Sequence, residues 1–519
     1  MESKETVVIN ADEFAALKSE IAELKALVRY YEEQFRLAKR RQFGPSSEKN
    51  DICEQLGLFN EAEAAANPKE PEPAMEEIAY TRRKRQGKRE DDLSGLPVET
   101  VAYALPESEQ VCSECGGWLH EMGRDTRREL KIVPAQVKVI EHKRSVYSCR
   151  HCEKRNDHVP IVKASMPEAV IKGSLASPST VAHIMTQKYV MCVPLYRQEQ
   201  DWARQGISLS RQTMANWVIR CAEDWLSPLY ERMRRRLLAH EVLHADETVV
   251  QVLREPGKTP QSKSTMWLYR TSGDTQRHIV LFEYQPNRRA EHPREFLGGF
   301  KGYLHTDGYA GYHTLKDITV VGCWVHMRRK FESVVKSAAS SPDSSAHKAI
   351  RHIGALFHLE NQWATLTPEE RYQKRLGESM PLAEALFAWL ETLRIIPKSA
   401  TGAAIRYALD QRAWLMNVFL DGRTELSNNR AENAVRPFAV GRKNWLFCNT
   451  VKGARSSAIV YSVIETAKAN GLKPFEYLEY LLETIPNTTT GGLGDLLPWA
   501  GTIPEHCRMS IKEEDARSA

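Results

Sequence analysis

Residues 242–250 read Val-Leu-His-Ala-Asp-Glu-Thr-Val-Val. The β-branched residues in this stretch favour a strand, which we expect to span residues 241–253. Residues 265–271 and 278–284 are also rich in Val, Leu, Ile and aromatic side chains, and Gly, Pro, Ser and Asp lie between the three stretches. Together they predict a three-stranded meander.

The chain downstream of this meander alternates between predicted helices and strands. The predicted elements are a helix over 288–297, strands over 302–306 and 318–324, a helix opening near His326, a mainly helical stretch over 333–425 and a helix starting at 427–432. The meander comes first, strands joined through a helix follow, and a helix comes last. This order predicts a multidomain α/β protein with a mixed sheet flanked by helices.

One motif in this region matches a zinc-protease pattern. His240-Glu-Val-Leu-His244 has the order His-Glu-x-x-His, which binds zinc when both imidazoles share one helix face. Here the second His enters the predicted strand, where the two rings would lie about 13 Å apart. We therefore interpret the match as a coincidence.

Three acidic residues are better candidates for chemistry. Asp246 lies in the first predicted strand, Asp307 at the end of a later one, and Glu432 on a helix. Such carboxylates can converge at one edge of the sheet, where they repel each other unless divalent cations neutralise them. A pair of Mg²⁺ ions about 3.5 to 4 Å apart can activate a water or hydroxyl at a phosphodiester.

Two cysteine pairs predict a structural zinc ion. Cys112-Ser-Glu-Cys115 and Cys149-Arg-His-Cys152 offer four thiolates, which suit a tetrahedral Zn²⁺ closed to substrate. Their spacer is longer than the common range of about 15 to 20 residues. Strand-like stretches around Val137 and Val139 and around Val146 and Tyr147 therefore predict a zinc ribbon with an enlarged hairpin. The alternative is four unpaired, reduced cysteines.

Residues 11–42 favour one long helix with a coiled-coil seam. Apolar residues recur at alternating spacings of three and four. They are Phe14, Leu17, Ile21, Leu24, Val28, Tyr31, Phe35 and Ala38. The seam predicts self-association, and the alternative is a helix that packs on its own protein.

A charged linker follows this helix. Residues 60–95 combine Glu, Pro and Ala with a basic run over 82–89, a composition that cannot bury a core. The basic run is either a solvated segment or an arm that follows DNA phosphates.

Residues 174–236 favour helices in a helix-turn-helix arrangement. Ser210 is a predicted N-cap for a helix whose apolar face leaves Arg211, Gln212 and Asn216 outside. Exposed Arg, Gln and Asn on the second helix are typical of DNA contact. A plain packed helical pair is the alternative.

Composition excludes several classes of protein. The chain has 519 residues and a formal net charge of +5, which is too small to indicate nucleic-acid binding by itself. No apolar run approaches the roughly 18 residues of a membrane span, and the N-terminus has no signal-peptide pattern. We expect a cytosolic protein with no membrane partner.

The chain resembles the insertion-sequence-66 family of bacterial transposases, the TnpC type of the DDE group. The matching motifs are Leu243-His-Ala-Asp-Glu-Thr248, His305-Thr-Asp-Gly-Tyr-Ala-Gly-Tyr312, Cys323-Trp-Val-His-Met-Arg-Arg-Lys-Phe331, Asn428-Asn-Arg-Ala-Glu432 with Arg436-Pro437, and Gly441-Arg-Lys-Asn-Trp445. The resemblance implies a ribonuclease-H-like core, the triad Asp246, Asp307 and Glu432, and an insertion over 333–425. Position 427 is Ser where many relatives are expected to have Asp.

Further residues near the three acids are candidate DNA contacts. Cys323 and His326 have metal-ligand spacing, but without a second pair we favour a buried Cys and a His at DNA or the site edge. Clustered basic residues beyond the second and third acids favour phosphate contact over a solvated face. They are Arg329, Lys330, Arg436, Arg442 and Lys443.

These inferences combine into one expected organisation. The expected domains are an N-terminal coiled-coil helix (1–50), a charged linker (51–95), a zinc-binding domain (96–165), a helical DNA-binding segment (166–236), the first part of the core (237–332), a helical insertion (333–425), the C-terminal part of the core (426–485) and a tail (486–519).

The resemblance implies metal-dependent DNA cleavage and strand transfer with two Mg²⁺ or Mn²⁺ ions, carried out in the bacterial cytosol in association with the nucleoid. The expected partners are double-stranded DNA of the element ends and target, a second copy of the chain, and helper proteins of the same element. A zinc-containing DNA-binding regulator and a ribonuclease-H-like nuclease without joining activity are the rival interpretations.

Overall fold

The computed structural model describes residues 137–148, 161–337, 344–488 and 490–509, together with individual positions between 13 and 31. Two compact units are distinguished: residues 48–165 form one, and residues 1–47 with 166–519 form the other.

The described part of the smaller unit contains one short pair of antiparallel strands. Strand β1 (Val146–Ser148) pairs with β2 (Ile161–Lys163). The predicted strand around Val146 is confirmed. The predicted strand around Val137 and Val139 is wrong, because residues 137–140 are not in a strand and Val139 is 90% exposed. Within the described residues this stretch has no pairing partner, and its β-branched side chains alone do not suffice to form a ladder.

Helices open the described part of the larger unit. They are α1 (Pro178–Tyr189), α2 (Leu195–Arg204), α3 (Arg211–Cys221) and α4 (Ser227–Leu237). The Ser210 hydroxyl accepts from the Thr213 backbone N–H at 3.1 Å, which confirms the predicted N-cap. The helix predicted to begin after Ser210 is α-helical to Cys221 and continues into one π-helical turn at Ala222–Leu226.

A mixed sheet follows these helices. The antiparallel meander of β3 (Val242–Arg254), β4 (Lys263–Thr271) and β5 (Val280–Gln285) confirms the prediction. After α5 (Glu291–Phe296), strands β6 (Tyr303–Thr306) and β7 (Thr319–Gly322) continue the sheet in parallel to β3. The sheet order is β5-β4-β3-β6-β7.

The stretch predicted to be mainly helical is mainly helical where it is described. Its helices are α6 (Trp324–Ser337), α7 (Ser345–Gln362), α8 (Pro368–Lys374), α9 (Met380–Thr392), α10 (Ala400–Asp410) and α11 (Arg412–Met416). They bury a core of their own, which includes Phe331, Phe387 and Phe419.

The last elements return to the sheet. Helix α12 (Asn429–Trp445) leads into the short strand β8 (Cys448–Thr450), which pairs in parallel with the second half of β3. Helices α13 (Val451–Ala469) and α14 (Pro474–Thr484) follow.

Helix α13 packs against β5, the strand at one edge of the sheet. The Val280 N–H of β5 donates to the Thr466 hydroxyl at 3.0 Å, and the Phe282 N–H donates to the Ser462 hydroxyl at 2.7 Å. These hydroxyls satisfy backbone donors that an unprotected edge strand would offer to another chain.

The segment expected to be a C-terminal tail packs against the protein over residues 490–509. Leu496 and Cys507 are buried, and the Tyr477 hydroxyl of α14 donates to the Leu496 carbonyl at 2.6 Å. These contacts attach the segment to α14.

The predicted N-terminal helix is partly described. Every described position between 13 and 31 is helical. The described seam residues are exposed, with Leu24 at 53% and Val28 at 57%. Among the helices of the described residues, none has the length and apolarity that crossing a bilayer requires.

Candidate active site

Two of the predicted acids lie level with each other on adjacent parallel strands. His244 of β3 is the register partner of His305 of β6, and Asp246 and Asp307 each follow two residues later. Neighbouring strands are about 4.8 Å apart, so this register places the two aspartates side by side where β6 ends.

The electrostatics of Asp246 reflect this closeness. Burial raises the pKa of the Asp246 carboxyl well above its ordinary value, and the nearby charges of Glu247, Asp307 and Glu432 raise it further. The Glu247 backbone N–H donates to the Asp246 carboxylate at 2.8 Å, and this hydrogen bond lowers the pKa. This position therefore disfavours an anion unless a cation is close by.

The third predicted acid lies on helix α12 and faces helix α6. Arg329 Nη2 donates to Glu432 Oε2 at 2.8 Å, and His326 Nδ1 lies 3.6 Å from Glu432 Oε1. Glu432 Oε1 is buried and makes no hydrogen bond within the described part of the chain. This oxygen is therefore available as a ligand for a cation.

Asn428 attaches the glutamate helix to the strand that carries Asp246. Its side-chain amide donates to the Ala245 carbonyl at 2.8 Å, and its Oδ1 lies 3.0 Å from His244 Nδ1. Its backbone N–H donates to the Cys323 sulfur at 3.2 Å. Because Asn428 is fully buried, these contacts set where α12 begins relative to β3. Its role was not predicted from the sequence, although it lies within a quoted motif.

A fourth acid, Glu247, was missed by sequence reasoning. It accepts from Arg288 Nε at 2.7 Å and from the Tyr312 hydroxyl at 2.9 Å. Burial and the charge of Asp307 raise the pKa of Glu247. The Asp-Glu pair in the first strand was the signal that could have found it.

The zinc-protease match does not form a metal site. His244 lies in β3, as predicted, and is fully buried against Asn428. His240 precedes the strand. Burial lowers the pKa of His244 to about 3, so its ring is neutral.

Cys323 and His326 gain a third potential metal ligand in the structure. The ligand atoms of Cys323, His326 and Glu432 all lie within 4.8 Å of one another, and in the described residues Asp246 and Asp307 are not part of that group. A thiol, an imidazole and a carboxylate suit Zn²⁺, whereas three carboxylates suit Mg²⁺ or Mn²⁺. Glu432 belongs to both donor sets.

Several predicted DNA contacts lie near these acids. Lys330 lies over the Tyr407 ring, and the Tyr407 hydroxyl donates to the Asp307 carbonyl at 3.2 Å. Arg442 donates to Thr248 Oγ1 at 3.0 Å, next to the acidic stretch of β3. On α12, Arg436 and Lys443 are exposed.

The predicted recognition helix is a separate feature of this unit. Arg211, Gln212 and Asn216 are exposed on α3, opposite its buried face. The Arg211 guanidinium lies over the Tyr196 ring and 3.9 Å from Glu199. The structure does not join these residues to the three acids.

The predicted zinc ligands Cys112, Cys115, Cys149 and Cys152 lie outside the described residues. The predicted linker over 51–95 also lies outside them.

Comparison with protein families gives matches along the chain. A family model described as "Transposase IS66 family" matches residues 173–456, and one described as "zinc-finger binding domain of transposase IS66" matches 109–153. The "IS66 C-terminal element" matches 462–499, and "Transposase C of IS166 homeodomain" matches 30–101, which includes all of the predicted linker.

Two curated relatives from Sinorhizobium fredii align with nearly the full chain. The uncharacterized protein y4jD is 31% identical over 504 residues, which cover 93% of this chain and 94% of the relative. The uncharacterized protein y4qI is 29% identical over 520 residues, which cover 94% and 93%.

Proposed function

The chain belongs to the IS66 family of transposases, and we propose that it is a DDE transposase that cuts the ends of its element and joins them to target DNA. The observation that carries this proposal is the strand register that places Asp246 and Asp307 side by side. Asn428 ties the helix of the third acid, Glu432, to the same strand.

We propose further that the core is ribonuclease-H-like. The sheet order β5-β4-β3-β6-β7, with an antiparallel meander followed by two parallel strands, supports this assignment. The acids then come from the central strand, from the end of its parallel neighbour and from a later helix.

In the proposed reaction, water attacks the scissile phosphorus and the bond to the 3′ oxygen breaks. This leaves a 3′ hydroxyl on the element and a 5′ phosphate on the flank. That 3′ hydroxyl then attacks a target phosphorus and displaces the target's own 3′ oxygen. Two divalent cations, when bound, supply activation of the attacking oxygen and stabilisation of the leaving one.

The chain's own residues hold those cations. Asp246 and Asp307 provide adjacent carboxylates, and the raised pKa of Asp246 fits a site completed by positive charge. Glu432, which lies 2.8 Å from the Arg329 guanidinium, would hold a cation with its carboxylate, and Arg329 would then contact a DNA phosphate.

Other parts of the chain bind DNA and structural metal in this proposal. The four paired cysteines hold Zn²⁺, and Arg211, Gln212 and Asn216 contact the element end. The exposed seam around Leu24 joins two copies of the chain.

The test is strand transfer with labelled end DNA in Mg²⁺ or Mn²⁺, run beside a DNA-binding assay at one salt concentration. Glu432→Gln, Asp246→Asn and Asp307→Asn should each abolish cleavage and joining while retaining binding. The control His240→Ala should leave joining largely intact.

The rival interpretations give different results in the same assay. Normal joining by Glu432→Gln would overturn the assignment of the third acid. Specific binding without cleavage by the wild type, with helper proteins supplied, would favour the regulator. Cleavage without joining would favour the nuclease.

A further inference from the structure

The connection between α12 and β8 is a strained tight turn. The Phe447 N–H donates to the Trp445 carbonyl at 2.8 Å, and Leu446 between them has φ 64° and ψ −55°. This is the rare, positive-φ form of a γ-turn, which a branched residue adopts only against a steric penalty. A strained backbone of this kind persists only where contacts on both sides hold it in place.

Both sides of this turn are anchored. Helix α12 ends with Trp445 packed edge-on against Phe438, at a centroid distance of 5.4 Å. Directly after the turn, Cys448 pairs with Val252 of β3. The turn is therefore held rigidly against the strand that carries Asp246.

The strained turn presents apolar side chains to solvent. Leu446 is 61% exposed and Phe447 is 42% exposed. Val249 of β3 is 44% exposed, and its carbonyl accepts from Arg442 in the last turn of α12. Large apolar side chains that are exposed together and held rigidly indicate a binding surface.

Positive charge on α12 identifies the occupant of this surface. Glu432, Arg436 and Lys443 are spaced four and seven residues apart, so they share one helix face. The same face therefore runs from the third acid, past two cations, to the turn. The two cations favour a negatively charged ligand, and the apolar turn favours one with apolar faces. Duplex DNA has both properties.

We propose that Leu446 and Phe447 form a wedge that enters the DNA end and unstacks a base pair; this rests on the proposed function. Apolar side chains inserted between base steps are a known means of unstacking them. Leu446 lies 14 residues after Glu432, which is about 21 Å along the helix. At 3.4 Å per base step, the opened pair is about six base pairs from the cleaved phosphate.

The test places 2-aminopurine at each of the first ten positions of the end duplex and measures fluorescence with full-length protein, without divalent metal. The wild type should raise the fluorescence at least about threefold at one or two adjacent positions. Leu446→Gly removes the side chain but suits the positive φ, so it should fold normally and melt no lower than the wild type. It should lose the signal and weaken binding about tenfold, as should Phe447→Ala.

The matched control is Leu420→Ala, which truncates a leucine that is 53% exposed in the helical stretch after β7. It should retain both signal and affinity. Binding by the wild type with no fluorescence change at any position would overturn the wedge alone. Absence of any binding to the end duplex would overturn the proposed function with it. The Leu446→Gly protein could also give the wild-type fluorescence signal and sediment as a smaller species than the wild type. That result would overturn the wedge and assign this surface to contact with a second copy of the chain.

Discussion

The imidazole rings of His244 and His305 stack face to face, with centroids 4.3 Å apart and planes 13° apart. They are register partners on the parallel strands β3 and β6, and both are fully buried. Because Asp246 and Asp307 each follow two residues later, this contact positions the strands that carry both acids. The stacked pair thus links the core to the geometry of the site.

The stacked histidines predict acid sensitivity. Burial lowers the pKa of His244 to about 3, and burial together with His244 lowers the pKa of His305 well below its ordinary value. Below about pH 6.5 the unfolded chain takes up protons that the folded chain does not, so stability falls as the pH falls. From pH 7.5 to 5.5 each histidine should cost about 1.4 kcal/mol.

Thermal melting at these two pH values checks this prediction. His244→Gln should be less stable than the wild type at pH 7.5 but should lose less stability on acidification. The exposed control His358→Gln should keep the wild-type pH dependence. If His244→Gln and the wild type lost the same stability between pH 7.5 and pH 5.5, His244 would not be a source of the acid sensitivity.

Arg329 should compete with metal for Glu432. Its guanidinium lies 2.8 Å from Glu432 Oε2, so replacing it with Gln removes the positive charge that competes with the metal. The Mn²⁺ concentration that gives half of the maximal thermal shift should fall several-fold. Arg328→Gln is the control, because Arg328 pairs with Glu332 on its own helix at 2.8 Å. A higher Mn²⁺ requirement in Arg329→Gln would contradict the account.

Much of the core fold could be predicted from local sequence patterns. The stretches that form β3, β4 and β5 are rich enough in Val, Leu, Ile and aromatic side chains to be recognised as strands without tertiary information. Strand β8 was missed because Cys448-Asn-Thr450 is too short to show a period, and it forms by pairing with distant residues of β3. The ion pair of the buried Arg375 with the partly buried Glu360 was missed for a similar reason, since a helical pattern does not reveal which charges meet.

For the site, the sequence predicted candidate acids but not their supports. Asp246 stands out as an acid within a predicted strand, Asp307 as one at the end of a predicted strand, and Glu432 as one on a predicted helix. The roles of Asn428 and Glu247 depend on contacts with residues far away in the chain, such as Ala245 and Arg288. The contact of Glu432 with Arg329 also required the packing of α12 against α6.

The paired cysteines predict zinc content. Purified protein should hold about one Zn²⁺ tightly, and Cys112→Ala combined with Cys149→Ala should remove it. Metal analysis of both proteins checks this. Unchanged zinc in the double variant would move the site to Cys323, His326 and Glu432, and His326→Ala would then remove it.

The exposed N-terminal seam predicts self-association. Leu24→Lys in the full chain should weaken oligomers, because it places charge in an apolar contact. Sedimentation over a range of concentrations measures this effect. Ala16→Lys, on the helix face away from the seam, is the control. Identical sedimentation of Leu24→Lys and the wild type would show that oligomers form through other surfaces.

Metal rescue at Asp246 tests most directly whether these acids hold the catalytic cations. A cysteine ligand disfavours Mg²⁺ and tolerates the softer Mn²⁺. Asp246→Cys should bind end DNA normally, lose joining by about 100-fold or more in Mg²⁺, and recover at least about tenfold in Mn²⁺. Joining by Asp246→Cys at the wild-type rate in Mg²⁺ would contradict the assignment of Asp246 as a metal ligand.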